Sequence, residues 1–177
     1  MNKSASPAAR ILLVGMMGSG KSSVGRALSR RTGWAFMDND ALVEQVTGMT
    51  ARELLAERGV EAMRAAEADA LRAGARLAPP AIVAVAAGTI LDPEQREQME
   101  AAGLVVWLRA PASVLAARAV GADHRPWLED DPVGWFKRAI AERDPLYATV
   151  ADLEIDTSVT GPDGAADAIL RAATIRA

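Results

Sequence analysis

An apolar run, Ile11-Leu12-Leu13-Val14, leads straight into Gly15-Met16-Met17-Gly18-Ser19-Gly20-Lys21-Ser22. These eight residues satisfy G-x-x-x-x-G-K-[ST], the pattern of a loop that cradles phosphates between a strand and a helix. Glycines serve there because successive backbone N–H groups must turn inward, which a Cβ obstructs. The helix starting near Lys21 adds the positive end of its dipole. Lys21 can reach the β- and γ-phosphates of a nucleotide, and the Ser22 hydroxyl can take a place on Mg2+. The nucleotide-binding segment therefore extends from Gly15 to Ser23, and residues 10–31 are committed to a strand–loop–helix unit.

Strand and helix signals alternate beyond it. Arg10–Val14 reads as the first strand and Lys21–Arg31 as a helix closed by Thr32-Gly33. Ala35–Met37 is a short buried strand, and Asp40–Val46 a brief helix. Thr50-Ala51-Arg52-Glu53 forms a capping box that opens a helix stopped by Gly59. Val60–Ala78 is a longer helix ended by Pro79-Pro80. Ala81–Ala86 is continuously apolar, as a strand covered on both faces must be. Asp92-Pro93-Glu94 starts a helix that Gly103 ends, and Leu104–Leu108 is the next strand. Helices follow at Pro111–Val120 and Pro132–Asp144, separated by a polar, irregular segment at Gly121–Asp131. A last strand, Leu153–Ile155, and a last helix, Pro162–Ala173, complete the chain. The alternation predicts a parallel sheet with helices on both faces, in one domain of residues 1–177 with a loose tail at 1–9.

Composition narrows the function classes. A net charge of −3 gives no electrostatic case for nucleic acid as a partner. The chain has no cysteine, which excludes disulfides and thiolate chemistry and accords with a cytoplasmic location. No run approaches the roughly 20 apolar residues that a membrane span needs, so no membrane partner is expected.

Several polar residues carry further chemistry. Asp38 and Asp40 stand where the second strand ends, and in an extended chain positions two apart share a side. In open α/β sheets the carboxyl ends of the strands border the ligand crevice. Two carboxylates there can serve Mg2+ and take a proton from an acceptor hydroxyl; Asp40 is equally suited to capping the next helix. Arg64 and Glu67 share a helix face, where the arginine can clamp a substrate carboxylate or simply pair with its neighbour. Arg125, in the irregular segment, can fold over a transferred phosphate. Arg143, near a helix end, can clamp an anion or answer the helix dipole.

In this order the motifs resemble the shikimate kinases, which pass the γ-phosphoryl group of ATP to a hydroxyl of shikimate. The resemblance runs from Arg10 to about Asp156, through Gly15–Ser22, Asp38-x-Asp40, Gly48-Met49-Thr50, Arg64 with Glu67, Arg125-Pro126, Arg143 with Pro145-Leu146-Tyr147, and Ile155-Asp156-Thr157. It implies a three-layer α/β/α P-loop NTPase fold, with a five-stranded parallel sheet of nucleoside-monophosphate-kinase type and a lid around 121–131. It further implies that Asp38 organises Mg2+ with Ser22, and that Asp40 binds and deprotonates the acceptor hydroxyl. Arg64 and Arg143 would hold the shikimate carboxylate, with Ala87 and Gly88 against the acceptor. Arg118 would lie against adenine, Arg125 near the phosphates as the lid arginine, and Lys21 on the transferred group. Monomers are usual for the family.

Two positions depart from the family pattern. Three successive glycines usually follow the third strand; here they are Ala86, Ala87 and Gly88. A Cβ restricts φ and close backbone approach, and an alanine forced to φ > 0 stores roughly 1–3 kcal/mol of strain. Trp127 stands where a leucine commonly follows Arg-Pro, beside the only histidine, His124. The departures leave open a kinase of the same fold acting on another hydroxylated carboxylic acid. A nucleotide-binding domain without catalysis is the other alternative, against which Lys21, Ser22, Asp38 and Asp40 all speak.

Overall fold

A computed structural model describes residues 10–119 and 130–175. The expected tail at 1–9 and most of the lid segment, with His124, Arg125 and Trp127, lie outside the described residues. Five strands form one sheet: β1 (Arg10–Val14), β2 (Ala35–Asp38), β3 (Ala81–Ala84), β4 (Leu104–Arg109) and β5 (Leu153–Asp156). All pairs are parallel and the order is β2-β3-β1-β4-β5. The helices are α1 (Lys21–Thr32), α2 (Asn39–Thr47), α3 (Ala51–Ala75), α4 (Pro93–Ala102), α5 (Ala112–Ala119), α6 (Pro132–Val150) and α7 (Thr157–Ile175).

The period of two along each strand assigns its side chains to the two faces. Leu12 and Val14 of β1 join Val83, Val105 and Trp107 on one face, covered by Leu42, Leu71, Met99, Leu115, Phe136 and Tyr147 from α2 to α6. Ile11 and Leu13 join Ile82, Val106 and Leu108 on the other, covered by Val24, Ala27 and Leu28 of α1 and by Ala165, Ala166 and Ile169 of α7. Central strands buried on both sides need an apolar residue at every position, hence their unbroken apolar runs. Gly25 admits the ring of Phe36 so closely that a Cβ would overlap it, which brings α1 down onto β2.

Local signals placed most element ends. The Thr50–Glu53 capping box forms as expected, and α3 breaks at Gly59, whose φ of 82° is non-helical. Elsewhere burial overrode them. α6 was expected to stop at Asp144, before Pro145, yet it continues to Val150. A proline inside a helix removes one hydrogen bond and clashes with the preceding turn. Here, however, Tyr147 and Val150 beyond it are both buried in the core. α7 was expected from Pro162 but begins at Thr157, with Gly161 at φ 63° as the break between an added first turn and the main helix. The third strand ends at Ala84 rather than Ala86, because the chain enters a turn and then a 3₁₀ segment at Thr89–Leu91.

Candidate active site

The phosphate loop leaves the end of β1, the middle strand, and enters α1. Gly15, Gly18 and Gly20 have φ of 138°, 77° and 95°, the left-handed region that side chains avoid. At Gly15 a Cβ would also run into the Leu108 carbonyl oxygen of β4. Gly20 precedes α1, whose first turn carries no acidic residue, so the amide donors at that end keep their full attraction for an anion. Lys21 Nζ donates to the carbonyls of Gly15 at 2.8 Å and Met16 at 3.0 Å, which folds the ammonium over the loop. Met16 sends its side chain into the core and Met17 packs against it. Ser22 and Ser23 occupy the first turn of α1, and Ser19 is fully buried with its Oγ unpartnered.

Arg118 of α5 lies on the other side of this loop. Its guanidinium donates to the Gly18 carbonyl at 3.2 Å, to Thr157 Oγ1 at 3.1 Å and to the Thr157 carbonyl at 3.0 Å. The Thr157 hydroxyl in turn donates to Ser19 O at 2.8 Å, with Arg109 O at 3.2 Å sharing the proton. One buried hydroxyl thus ties the loop to the end of β4 and to the start of α7.

Asp38 and Asp40 were expected where the second strand ends, pointing to the same side, or Asp40 as the cap of the next helix. β2 ends at Asp38 and α2 starts at the next residue, so Asp40 sits exposed in the first helical turn. The early start follows from the preference of Asp and Asn for helix N-termini and from the burial of Leu42 and Val43. Asp38 itself, not Asp40, holds the N-cap position. Its side chain makes no cap hydrogen bond, so the carboxylate is not spent on the helix.

Glu67, on α3, reports how the remaining charges converge. Burial raises its carboxyl to about 7, and the like charge of Asp40 adds to the rise. The cations of Arg64, Arg143 and Lys21 oppose it. Side chains from α1, α2, α3 and α6 therefore act on one carboxyl group. Arg64 is exposed, whereas the Arg143 side chain is only 15% exposed. Arg143 Nε makes no hydrogen bond; Glu142 Oε2 stands 3.6 Å away, and the Trp135 ring lies 6.0 Å from the guanidinium. A buried cationic N–H without a hydrogen-bond acceptor is costly, and Glu142 at ion-pair distance offsets that cost only in part.

The turn after β3 borders the same group. Gly88 takes φ −77° and ψ −23°, which any residue adopts, and a Cβ there would meet only Glu67 Oε2, at 3.4 Å. The Ala87 carbonyl accepts a hydrogen bond from the Tyr147 hydroxyl at 3.1 Å. Tyr147 and Thr157 belong to motifs visible in the sequence, but nothing there assigned them a contact. The hint for Tyr147 was its spacing of four from Arg143, which places both on one helix face.

Mg2+ bound with a nucleotide takes one or two carboxylates and leaves other positions to phosphate oxygens and water. Asp38, with its uncommitted carboxylate, and Ser22, opening α1, are oxygen donors that fit this requirement. Among the described residues no group of three or more His, Asp or Glu forms an all-protein metal cage.

Comparison with known proteins agrees with this fold. The family model for shikimate kinase matches residues 17–174. A shikimate kinase of Paramagnetospirillum magneticum is 40% identical over 156 residues, covering 86% of this chain and 78% of that protein. One from Nitratidesulfovibrio vulgaris is 44% identical over 147 residues, covering 80% and 83%. The solved structure of the shikimate kinase from Acinetobacter baumannii in complex with shikimate has a TM-score of 0.88 and 30% identity, and covers 94% of this chain and 93% of that one. Its five-stranded parallel sheet, its phosphate loop and these matches make the chain a member of the shikimate kinase family.

Proposed function

We propose that the chain transfers the γ-phosphoryl group of ATP to a hydroxyl of shikimate. Family membership supports the reaction class, and the convergence of Lys21, Asp40, Arg64 and Arg143 on Glu67 is the observation that carries the site assignment. The loop amides from Gly15 to Ser23 and Lys21 bind the phosphates, and Arg118 borders the nucleotide beside Gly18. Arg64 and Arg143 hold the acceptor carboxylate, with the Ala87-Gly88 turn against the ring. Asp40 takes the proton of the attacking hydroxyl as its oxygen bonds to the γ-phosphorus and the bond to the β-phosphate oxygen breaks, releasing ADP. Ser22 and Asp38 would hold Mg2+ together with the phosphates, and the ion would supply charge neutralisation there. Arg125 adds positive charge to that group.

The same reading takes residues 1–177 as one kinase domain with a tail at 1–9 and a lid at about 121–131. It also takes the protein to be a cytoplasmic monomer without nucleic-acid or membrane partners. In support, the net charge is −3, and no helix among the described residues is long and apolar enough to cross a membrane.

A coupled ADP-release assay across hydroxylated carboxylic acids tests the reaction. Turnover with shikimate is expected. Turnover with a different acid alone would replace the acceptor, and ATP binding without acceptor-dependent turnover would remove the activity. Asp40→Asn should lower transfer by about 10²- to 10⁴-fold, the usual worth of a general base, with ATP affinity little changed. An equal loss of nucleotide affinity would contradict the role given to Asp40.

A further inference from the structure

We infer that Tyr147 is a positioning residue that registers the acceptor-facing turn at Ala87-Gly88 to the helix carrying the clamp arginine. The inference rests on the acceptor site proposed above. Tyr147 lies on α6 four residues after Arg143, so one helix face presents both side chains. Its ring is buried and stacks on Trp107 of β4, with centroids 5.8 Å apart and planes 21° from parallel. The stack fixes where the hydroxyl points, and the hydroxyl donates to the Ala87 carbonyl at 3.1 Å, sixty residues away in sequence. Burial keeps the phenol protonated, well above its ordinary pKa, so it remains a donor at every working pH.

That single bond acts on a whole peptide plane. In a trans peptide the C=O of Ala87 and the N–H of Gly88 point in opposite directions. Pinning the carbonyl toward α6 therefore aims the Gly88 amide to the far side, and Glu67 Oε2 of α3 lies 3.4 Å from where a Cβ on Gly88 would stand. The neighbouring carbonyl, that of Ala86, accepts from the Thr89 amide at 3.2 Å. The turn is thus held through three consecutive carbonyls: Ala86 and Gly88 accept from the amides of Thr89 and Leu91, and Ala87 accepts from Tyr147. Any displacement of α6 carries clamp and turn together, which keeps the carboxylate and ring contacts of one acceptor in register.

Tyr147→Phe keeps the stacked ring and deletes only the hydroxyl. Steady-state kinetics should show the KM for shikimate raised about fivefold to tenfold, the worth of one hydrogen bond, with the KM for ATP within about twofold. The rise in melting temperature on adding ADP should match that of the unchanged protein. An unchanged shikimate KM, or equal rises for both substrates, overturns the inference. A variant that no longer binds ADP assigns the hydroxyl to the fold as a whole and overturns it as well. Arg143→Ala separates this from the reading beneath it. If that variant keeps the shikimate KM, the clamp itself is wrong; if it loses acceptor affinity while Tyr147→Phe does not, only the positioning role fails.

Discussion

Glu67 holds its proton more tightly than an ordinary carboxyl, and the reason lies in what the fold places around it. Burial and the negative charge of Asp40 both favour the neutral form, and three cations compensate only in part. Linkage then sets a sign. A carboxyl raised from 4.5 to about 7 binds more protons folded than unfolded in that interval, so stability falls as pH rises through it. A shift of that size corresponds to on the order of 3 kcal/mol. Glu67→Gln, which stays neutral, should therefore match the parent protein near pH 4.5 and exceed it by up to about 3 kcal/mol near pH 8. Urea unfolding of both proteins across that range measures the difference; a gap that does not widen with pH would refute the assignment. None of this was legible from Arg64 and Glu67 as helix neighbours, because Asp40 and Arg143 reach Glu67 only through the tertiary fold. The Ala86-Ala87 departure is a matter of the same scale. Restoring glycine at both positions should lower the shikimate KM if their methyl groups crowd the acceptor, and leave it unchanged if the turn accommodates them.

At the scale of elements, the loop that binds phosphates is held from outside as much as by its own glycines. Thr157 opens α7 and is buried, yet its hydroxyl reaches the loop at Ser19, the end of β4 at Arg109 and the guanidinium of Arg118 on α5. Thr157→Val keeps the shape and leaves those groups without their partner, at about 1–3 kcal/mol of stability. The KM for ATP should rise severalfold while that for shikimate stays near its original value, and Thr157→Ser should restore ATP binding. Parallel changes in both KM values would refute this division of labour. The same contrast explains what could be read along the chain. β1, its loop and α1 follow from local rules, since the glycines, the lysine and the apolar run all lie within residues 10–32. The end of α6 does not, because Pro145 is a local stop signal that burial of Tyr147 and Val150 overrides, and the turn that Thr157 opens before the break at Gly161 does not, because Thr157 finds its partners only through the tertiary fold.

Across the whole molecule, the proposed site lies along the carboxyl ends of the strands of one sheet. In the proposed reading, the nucleotide side is built around the ends of β1 and β4 and the start of α7, and the acceptor side around the ends of β2 and β3 with α3 and α6. β1 contributes to both cores, Leu12 and Val14 to one and Ile11 and Leu13 to the other, so neither face can lose its packing without exposing the other. Unfolding should therefore be a single cooperative transition in calorimetry, and a ligand on the nucleotide side should shift all of it. At a free concentration near 100 times its Kd, ADP contributes about 2.7 kcal/mol by mass action. For a chain of this length that corresponds to a rise in Tm of roughly 5–10 °C. Two resolved transitions, or one in which ADP moves only a part, would mean that the acceptor-side helices fold independently of the sheet. Shikimate added alone should also move the one transition, and Arg143→Ala should abolish that shift while leaving the ADP shift intact. The half-buried Arg143 side chain would thereby link the proposed residue-scale contact to the stability of the whole chain.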